Sequence, residues 1–314
     1  MLPSWRLYCS SRWTLLVLFL ISVYGCAHTP SSLSDDPTLP QRSEVRIGSR
    51  YVVHSDIPLE RGHPLLLELA ELPERIRREL QWPDADSLVH VYIFRDRSSY
   101  ERYVHAHFRQ LPPRRALFVA QPSMASEEDL LVFAFWGTQI LEDLRHELTH
   151  AELHSACPNL PLWLDEGLAE FFEVPAQHDG VHHRHLAALR AESSAPWTPS
   201  LKRLEKLTSL SDLTAQDYRE AWAWTHFLLR SCPHLRLIFL QYLRDLRQAT
   251  RFRSPTNSET PTSVSLAERL TQMLPSPERA LLAHLDALHR QQWHLLETKA
   301  ELLLESNLVV ARMR

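Results

Sequence analysis

Leu-Arg-His-Glu-Leu-Thr-His occupies residues 144–150, and Leu-Trp-Leu-Asp-Glu-Gly-Leu-Ala-Glu-Phe-Phe-Glu occupies residues 162–173. Apolar residues recur at helical intervals through the first stretch, and neither Pro nor Gly interrupts residues 139–156, so the sequence predicts a helix there. The second stretch predicts another short helix. Pro158 and Pro161 fall in the linker and favour a loop that folds the chain back.

The first stretch contains the pattern HExxH, which is typical of zinc hydrolases. Each residue of a helix turns the chain by about 100°, so His146 and His150 lie on nearly one face and both rings can reach one ion. Glu147 lies beside that face. Its carboxylate can approach a water on the metal, and we expect it to act as a general base.

Two imidazoles do not complete a catalytic zinc site, because such sites use three protein ligands and keep a fourth position for water. Glu166 is the expected third ligand, on the second predicted helix. Glu170 lies one turn further on, where we expect it to accept the free ring N–H of a ligand histidine, His146. A solvated helix carboxylate is the alternative for Glu170.

His146-Glu147-x-x-His150, followed by Leu-Trp-Leu-Asp-Glu-Gly-Leu-Ala-Glu at residues 162–170, resembles the gluzincin metallopeptidases, the thermolysin-like clan. The pattern is most similar to the peptidase MA-like family of bacterial proteins. The resemblance implies one Zn²⁺ held by three ligands: His146, His150 and Glu166. It also implies Glu147 as the catalytic base and Glu170 as a partner of a ligand histidine.

Neighbours of the motif favour other roles. Asp165 is expected to start the second helix near its positive dipole end, and His154 to sit at the C-terminus of the first, where a cation is favoured. A metzincin would place a third histidine six residues after His150, with a glycine between. Those positions are Ala156 and Leu153, which excludes that class.

The composition argues against two kinds of partner. The formal net charge is −4, and the chain has no basic tract with interleaved aromatic residues, so we expect no nucleic-acid binding. The chain contains 6 glycines and no glycine-rich phosphate loop, so we expect no nucleotide. The length is sufficient for one substantial domain.

The N-terminus predicts export. Residues 1–26 read as a secretory signal, in which Arg6 and Arg12 form a positive segment before an apolar run, Trp13 to Val23, that is too short for a comfortable membrane span. Val-Tyr-Gly-Cys at its end resembles a bacterial lipobox, so we expect Cys26 to carry a lipid anchor in the cell envelope. Ordinary cleavage and an uncleaved anchor are the alternatives. Residues 27–43, rich in Ser, Thr, Pro and Asp, predict a disordered tether.

Residues 44–250 predict one α+β metallopeptidase domain, with a small mixed β-sheet N-terminal to the HExxH helix and a mainly helical C-terminal subdomain after it. Strands are expected at 88–94, 116–120 and 130–135. Either of the last two could be an exposed edge that aligns a substrate backbone by strand addition, as in gluzincins; a covered strand is the alternative. Residues 251–314 predict a helical extension that packs on the domain or extends from it.

A later predicted helix, Tyr218 to Leu229, carries two candidates for stabilising a developing oxyanion. Tyr218, Trp222 and His226 recur at intervals of four residues, on one face of the helix, and gluzincins often use a tyrosine or histidine from a later helix in this role. An ordinary aromatic core stripe with a satisfied histidine is the alternative.

Two groups of residues leave the interpretation open. Four histidines follow residue 173: His178, His182, His183 and His185. They predict a solvated loop near the mouth of the cleft, with a second metal site as the alternative. Cys157 and Cys232 could form a disulfide in an exported protein, or remain separate buried thiols.

Together these features predict a zinc-dependent peptidase that acts on a peptide or protein substrate through a metal-activated water. The first alternative is a non-catalytic, zinc-containing envelope lipoprotein that binds peptides or protein partners. The second is a scaffold lipoprotein in which HExxH is accidental.

Overall fold

The computed structural model describes residues 38–84, 87–109, 114–122, 128–191, 197–251 and 265–291. The predicted signal and its lipidation site Cys26 lie outside these residues, as does most of the predicted tether. Among the described residues, no helix has both the length and the apolar character needed to cross a bilayer.

A mixed β-sheet forms the N-terminal half of the described chain. Its strands are β1 (Ser43–Ile47), β2 (Tyr51–Ser55), β3 (Val89–Phe94), β4 (Ala116–Pro122) and β5 (Glu128–Phe135). The spatial order is β1-β2-β3-β5-β4. The pairs β2/β3 and β3/β5 are parallel, whereas β1/β2 and β5/β4 are antiparallel. The predicted mixed sheet before the HExxH helix is therefore confirmed.

The strand order decides which of the two candidate strands has a free edge. β5 lies between β3 and β4 and is paired on both sides, so it is not available for strand addition and that alternative is wrong. β4 is the last strand of the described sheet, and its second backbone edge pairs with no described strand.

Helices account for most of the remainder. They are α1 (Pro64–Leu80), α2 (Arg97–His107), α3 (Ile140–Ala156), α4 (Leu162–Glu173), α5 (His183–Ala191), α6 (Leu201–Leu204), α7 (Ala215–Arg230), α8 (Pro233–Arg251) and α9 (Leu266–Met273), with short 3₁₀ turns at Ala176–His178 and Leu210–Asp212. A further helix, α10, is described over 277–291. The predicted helical C-terminal region is therefore confirmed.

The two faces of the sheet carry separate apolar layers, because successive side chains of a strand point to opposite faces. Val91 of β3 and Val132 of β5 belong to the main core, which α1, α3 and α4 share. Phe133, on the other face, belongs to a smaller cluster with Tyr100 of α2. The larger core therefore lies under α3, the helix that carries HExxH.

α4 is enclosed between α3 and α7. Gly167 permits this arrangement: a Cβ at this position would lie 2.5 Å from both the carbonyl oxygen of Ala221 and Oγ1 of Thr225 on α7. The glycine beside Glu166 therefore lets the backbones of α4 and α7 approach closely.

The region after α4 differs from its sequence-based interpretation. The predicted histidine-rich loop contains α5, whose first turn is capped by Nδ1 of His182, which accepts from the backbone N–H of His185 at 3.3 Å. His182 is buried and His185 is half-buried, whereas His183 is exposed. The prediction of a solvated loop was wrong for His182, because this side chain packs beneath the first turn of α5.

The structure also shows the state of the two cysteines and the packing of the last described helices. Cys157 is a buried free thiol and Cys232 an exposed free thiol, so the possible disulfide between them does not form. Oγ1 of Thr250 lies 3.6 Å from Sγ of Cys157. The described part of the predicted extension, 265–291, packs on the domain, with Leu270 and Leu281 wholly buried in the main core.

Candidate metal centre

α3 is buried on nearly all sides, although its sequence is rich in polar residues. His146, Glu147 and His150 are 4%, 6% and 6% exposed. Burying a polar group without a partner costs free energy, so each of these side chains needs hydrogen bonds or a bound ion. The neighbours of each side chain show whether hydrogen bonds or a site for an ion compensate its burial.

Three ligand atoms from α3 and α4 converge. Nε2 of His146 and Nε2 of His150 lie 3.3 Å apart. Oε2 of Glu166 lies 3.6 Å from the first nitrogen and 3.7 Å from the second. Tetrahedral zinc with bonds of 2.0–2.1 Å would separate its ligand atoms by about 3.3–3.4 Å. We call His146, His150 and Glu166 the convergent cluster.

The opposite ring nitrogens are held by carboxylates. Nδ1 of His146 donates to Oε2 of Glu173 at 2.8 Å, and Nδ1 of His150 donates to Oδ1 of Asp165 at 3.0 Å. A carboxylate on Nδ1 selects the tautomer whose Nε2 lone pair is free to bind a metal. Both histidines of the convergent cluster therefore have the orientation that metal ligands require.

Glu166 completes the test of fit. Its side chain is buried, and Oε2 has no hydrogen-bond partner in the part of the chain that the structure describes. A buried, unpartnered carboxylate oxygen is rare and requires an explanation. A divalent cation between this oxygen and the two Nε2 atoms would satisfy all three, so the residues present fit the metal that the sequence predicts.

The charges in the cluster agree with a cation site. Burial disfavours the charged form of His146, but the neighbouring carboxylates of Glu166 and Glu173 outweigh it and raise its pKa well above the usual value. Despite its own burial, Asp165 has a pKa held well below the usual range by His150 and His154. The carboxylates therefore stabilise positive charge at this point, which a metal ion would supply in place of a proton.

The structure corrects the expected role of Glu170. Glu173, one turn further along α4, is the partner of His146, and Glu170 instead accepts from Nε2 of His185 at 2.7 Å. Burial and the nearby Glu173 raise the pKa of Glu170 to about 8. It is not a solvated carboxylate, since it is 7% exposed.

Asp165 and His154 also have more specific roles than the sequence predicts. Asp165 lies in the first turn of α4, as expected, and accepts from Nε2 of His154 at 2.9 Å as well as from His150. The carboxylate therefore joins His150 of the convergent cluster to the last turn of α3. His154 does not contribute to the convergent cluster.

A second group of possible ligands lies beside the first: Glu170, His182 and His185, which we call the stacked cluster. The rings of His182 and His185 are parallel, with centroids 3.6 Å apart and planes 8° apart. The lone pairs of stacked rings lie in two separate parallel planes, so one ion cannot lie in the plane of both rings. Nε2 of His182 donates to Oε1 of Glu173 at 2.7 Å, which ties this cluster to the partner of His146.

Two arginines hold the end of α4 that carries Glu173. Nη1 of Arg75 donates to the carbonyl oxygens of Phe172 at 3.2 Å and Val174 at 2.8 Å, and Nε of Arg145 donates to the carbonyl oxygen of Glu173. The last carbonyls of a helix have no partner within the helix, and cations are favoured there. These contacts fix the backbone from which Glu173 reaches His146.

A cavity of about 590 Å³ opens beside the convergent cluster. The residues that matter for its chemistry are Arg114, His146, Glu147, Glu170, Glu173 and Tyr218. Glu147 therefore faces the space in which a substrate and a water could meet. β4 begins at the same cavity with Ala116, so the free sheet edge leads into it.

Tyr218 lies in this cavity, as the sequence predicts. Burial and the nearby Glu166 raise the pKa of its hydroxyl, so that the phenol stays protonated. The side chain can therefore donate a hydrogen bond into the cavity.

His226 does not reach the cavity, and that prediction was wrong. Its Nδ1 lies 2.9 Å from Nε2 of His284 on α10, and its ring packs near Phe171. Eight residues on a helix leave a rotation of about 80° and an advance of about 12 Å, so Tyr218 and His226 do not share one site. Burial and the neighbouring His284 lower the pKa of His226 to about 3.

Comparison with known proteins adds a family match without a function. Residues 140–251 match a family profile described as "Protein of unknown function (DUF1570)". The matched segment starts at the first residue of α3 and ends at the last residue of α8, so it contains every member of both clusters. No curated protein matches the chain.

Proposed function

We propose that the protein is a zinc-dependent peptidase that hydrolyses peptide bonds, with Glu147 as the general base. The observation that carries the proposal is the convergence of Nε2 of His146, Nε2 of His150 and Oε2 of Glu166 within 3.3–3.7 Å beside a cavity that Glu147 lines. The likeness of the HExxH…E pattern to gluzincins supports the same reading.

His146, His150 and Glu166 would hold the ion. A bound Zn²⁺ supplies Lewis acidity, which lowers the pKa of a water toward about 7 and polarises the scissile carbonyl. Glu173 and Asp165 keep both imidazoles in the ligand tautomer, and α4 contributes Glu166.

Glu147 would take a proton from the attacking water and deliver it to the leaving amine. It follows His146 on α3, so the same helix positions the base and two ligands. Tyr218, protonated in its buried position, would donate a hydrogen bond to the developing oxyanion. The free edge of β4 would pair with the backbone of an extended substrate.

The N-terminal sequence supports a location for this activity. Residues 1–26 resemble a lipoprotein signal, so we propose an exported enzyme, anchored to a bacterial membrane through Cys26. Its substrate would be a peptide or protein of the cell envelope.

The test is Glu147→Gln, which removes the base and keeps the side-chain shape. We expect hydrolysis of a peptide library by the full-length chain to fall by about 10²- to 10⁴-fold. Zinc content, measured by mass spectrometry of the purified chain, should stay at one ion. His183→Ala, on the exposed face of α5, is the control and should cleave as the parent does.

Two outcomes would contradict the proposal. A Glu147→Gln chain that cleaves as fast as the parent would show that this carboxylate is not the base. A parent chain that holds zinc and yields no product over a wide pH range would instead support the non-catalytic, zinc-containing lipoprotein.

A further inference from the structure

Arg114 is a cavity residue that the proposed chemistry does not use. It lies just before β4 and lines the same cavity as Glu147 and Tyr218. Its Nε and Nη2 atoms are buried and have no hydrogen-bond partner among the described residues. Because buried donors are nearly always paired, two orphaned donors on one guanidinium indicate a missing acceptor.

The neighbouring arginines of the cavity do not share this property. Arg115 pairs with Asp143 at 2.9 Å, and Arg184 donates to Glu142. Arg219 hydrogen-bonds to the amide oxygen of Gln216 at 3.3 Å. Each of these guanidinium groups has a partner within the protein. Arg114 differs from them because its Nε and Nη2 atoms remain available for a ligand.

The position of Arg114 places such a ligand close to the chemistry. Burial lowers the pKa of the guanidinium, and Glu147, Tyr218 and Glu166 are the titratable groups that counteract this effect. None of the three hydrogen-bonds to its Nε or Nη2. Arg114 therefore lies near the proposed base without forming an ion pair that would occupy its donors.

The two orphaned atoms define the chemistry of the ligand. Nε and Nη2 form one edge of the guanidinium, with two parallel N–H groups whose spacing matches the two oxygens of a carboxylate. Four arginines and five acidic residues line the cavity, so its wall has no excess of positive charge to hold a dianion such as phosphate. A singly charged carboxylate fits both the donor edge and the charge of the wall.

We propose that Arg114 binds a carboxylate of the substrate through its Nε–Nη2 edge, so that the site selects peptides with a carboxylate near the scissile bond. The proposal rests on the proposed function only for the cutting step; the binding step requires only the cavity. The carboxylate can come from the C-terminus of a peptide or from an acidic side chain.

The test measures binding to the full-length Glu147→Gln chain, which should leave the probe peptides intact. The probes are acetyl-Ala-Phe-Ala with a free C-terminus, the same peptide as its C-terminal amide, and acetyl-Ala-Phe-Glu-amide. We expect at least one carboxylate peptide to bind about 10- to 100-fold more tightly than the uncharged amide, as measured by calorimetry. The peptide that gains the affinity identifies the source of the carboxylate.

Arg114→Met, added to this chain, keeps the length of the side chain and should abolish the preference. Arg114→Lys keeps the charge without the paired edge and should restore only part of it, which also covers a Met variant that fails to fold. Arg184→Gln is the matched control on the same cavity, since its guanidinium is already paired with Glu142, and it should change the preference by less than about twofold.

Equal binding of charged and uncharged peptides to the Glu147→Gln chain would overturn the proposal. So would a carboxylate preference that survives Arg114→Met with zinc content unchanged, because the carboxylate would then be bound by the metal. If the parent chain cleaves no peptide but the preference depends on Arg114, the peptidase proposal fails and this inference stands. If cleavage is efficient and indifferent to carboxylates, this inference fails and the peptidase proposal stands.

Discussion

The convergent and stacked clusters contain the same residue types, lie beside the same cavity and are joined through Glu173, yet their geometries differ. In the convergent cluster the two imidazoles are 75° from parallel, and their Nε2 atoms are 3.3 Å apart. In the stacked cluster the rings are 8° from parallel, and each donates to a different carboxylate. Ring orientation therefore distinguishes a place for an ion from a hydrogen-bond network.

The largest expected effect contrasts one histidine from each cluster. Replacing His150 with Ala should lower zinc affinity by about 10²- to 10³-fold, because a binding free energy of about 10–16 kcal/mol is shared among three or four ligands. His185→Ala should leave one zinc ion bound with nearly the parent affinity. Competition with a chromophoric chelator measures both variants.

His183→Ala, an exposed histidine on the same helix as His185, is the control and should match the parent. The assignment of zinc to the convergent cluster is wrong if His185→Ala lowers zinc affinity as much as His150→Ala. The description of the stacked cluster as a hydrogen-bond network is wrong if the parent binds a second zinc ion that His185→Ala removes.

The two clusters also show how far sequence can lead. The spacing of His146 and His150 on one helix predicts that they can meet, since helical rotation is a local property. Glu166 could be predicted as the third member of the cluster because it lies on the next short helix, which the Pro-containing linker folds back toward α3. The choice between Glu170 and Glu173 depends on how α3 and α4 cross, and that crossing is set by contacts distant in sequence, such as Gly167 against Ala221.

Some of this information was nevertheless present in the sequence. Glu166, Glu170 and Glu173 recur at intervals of four and three residues, so all three face the same side of α4. That pattern predicts more than one carboxylate near α3, which the interpretation based on Glu170 alone missed. His226 is the opposite case. Its spacing from Tyr218 predicted a shared helix face, but eight residues separate the two side chains by about 12 Å along the helix, so they do not reach the same cavity.

The next effect separates Glu173, which joins the two clusters, from Glu170, which belongs to the stacked cluster. Glu173→Gln should lower zinc affinity by about 10- to 100-fold, because the partner that orients His146 loses its charge. Glu170→Gln should lower it by less, since Glu170 pairs with His185 and not with a ligand histidine. Chelator competition at one fixed pH measures the two variants under the same conditions.

Asp165→Asn serves as a positive control, because Asp165 holds His150 as Glu173 holds His146. It should resemble Glu173→Gln in size. If Glu170→Gln proves the more damaging variant, then Glu170, as the sequence predicted, is the partner that matters for His146.

The smallest effect concerns a third pair of histidines, the buried His226 and the half-buried His284, whose facing nitrogens contact each other rather than a carboxylate. The carboxylates around His146 stabilise its protonated form and raise its pKa, whereas burial and His284 lower the pKa of His226 to about 3. An unfolded histidine titrates near 6.5, so between these values the unfolded chain binds more protons than the folded chain. Stability should therefore fall as the pH drops below about 6.5.

At pH 5 this one histidine should cost about 2 kcal/mol of the free energy of unfolding, since each pKa unit corresponds to about 1.4 kcal/mol. His226→Leu removes the titrating group, so the loss between pH 7 and pH 5, measured by urea unfolding, should shrink by about that amount. His183→Ala should keep the parent slope, because that ring is exposed in the folded chain. An unchanged slope in His226→Leu would mean that this histidine finds a compensating partner when protonated, and that a buried histidine here does not need a carboxylate to carry charge.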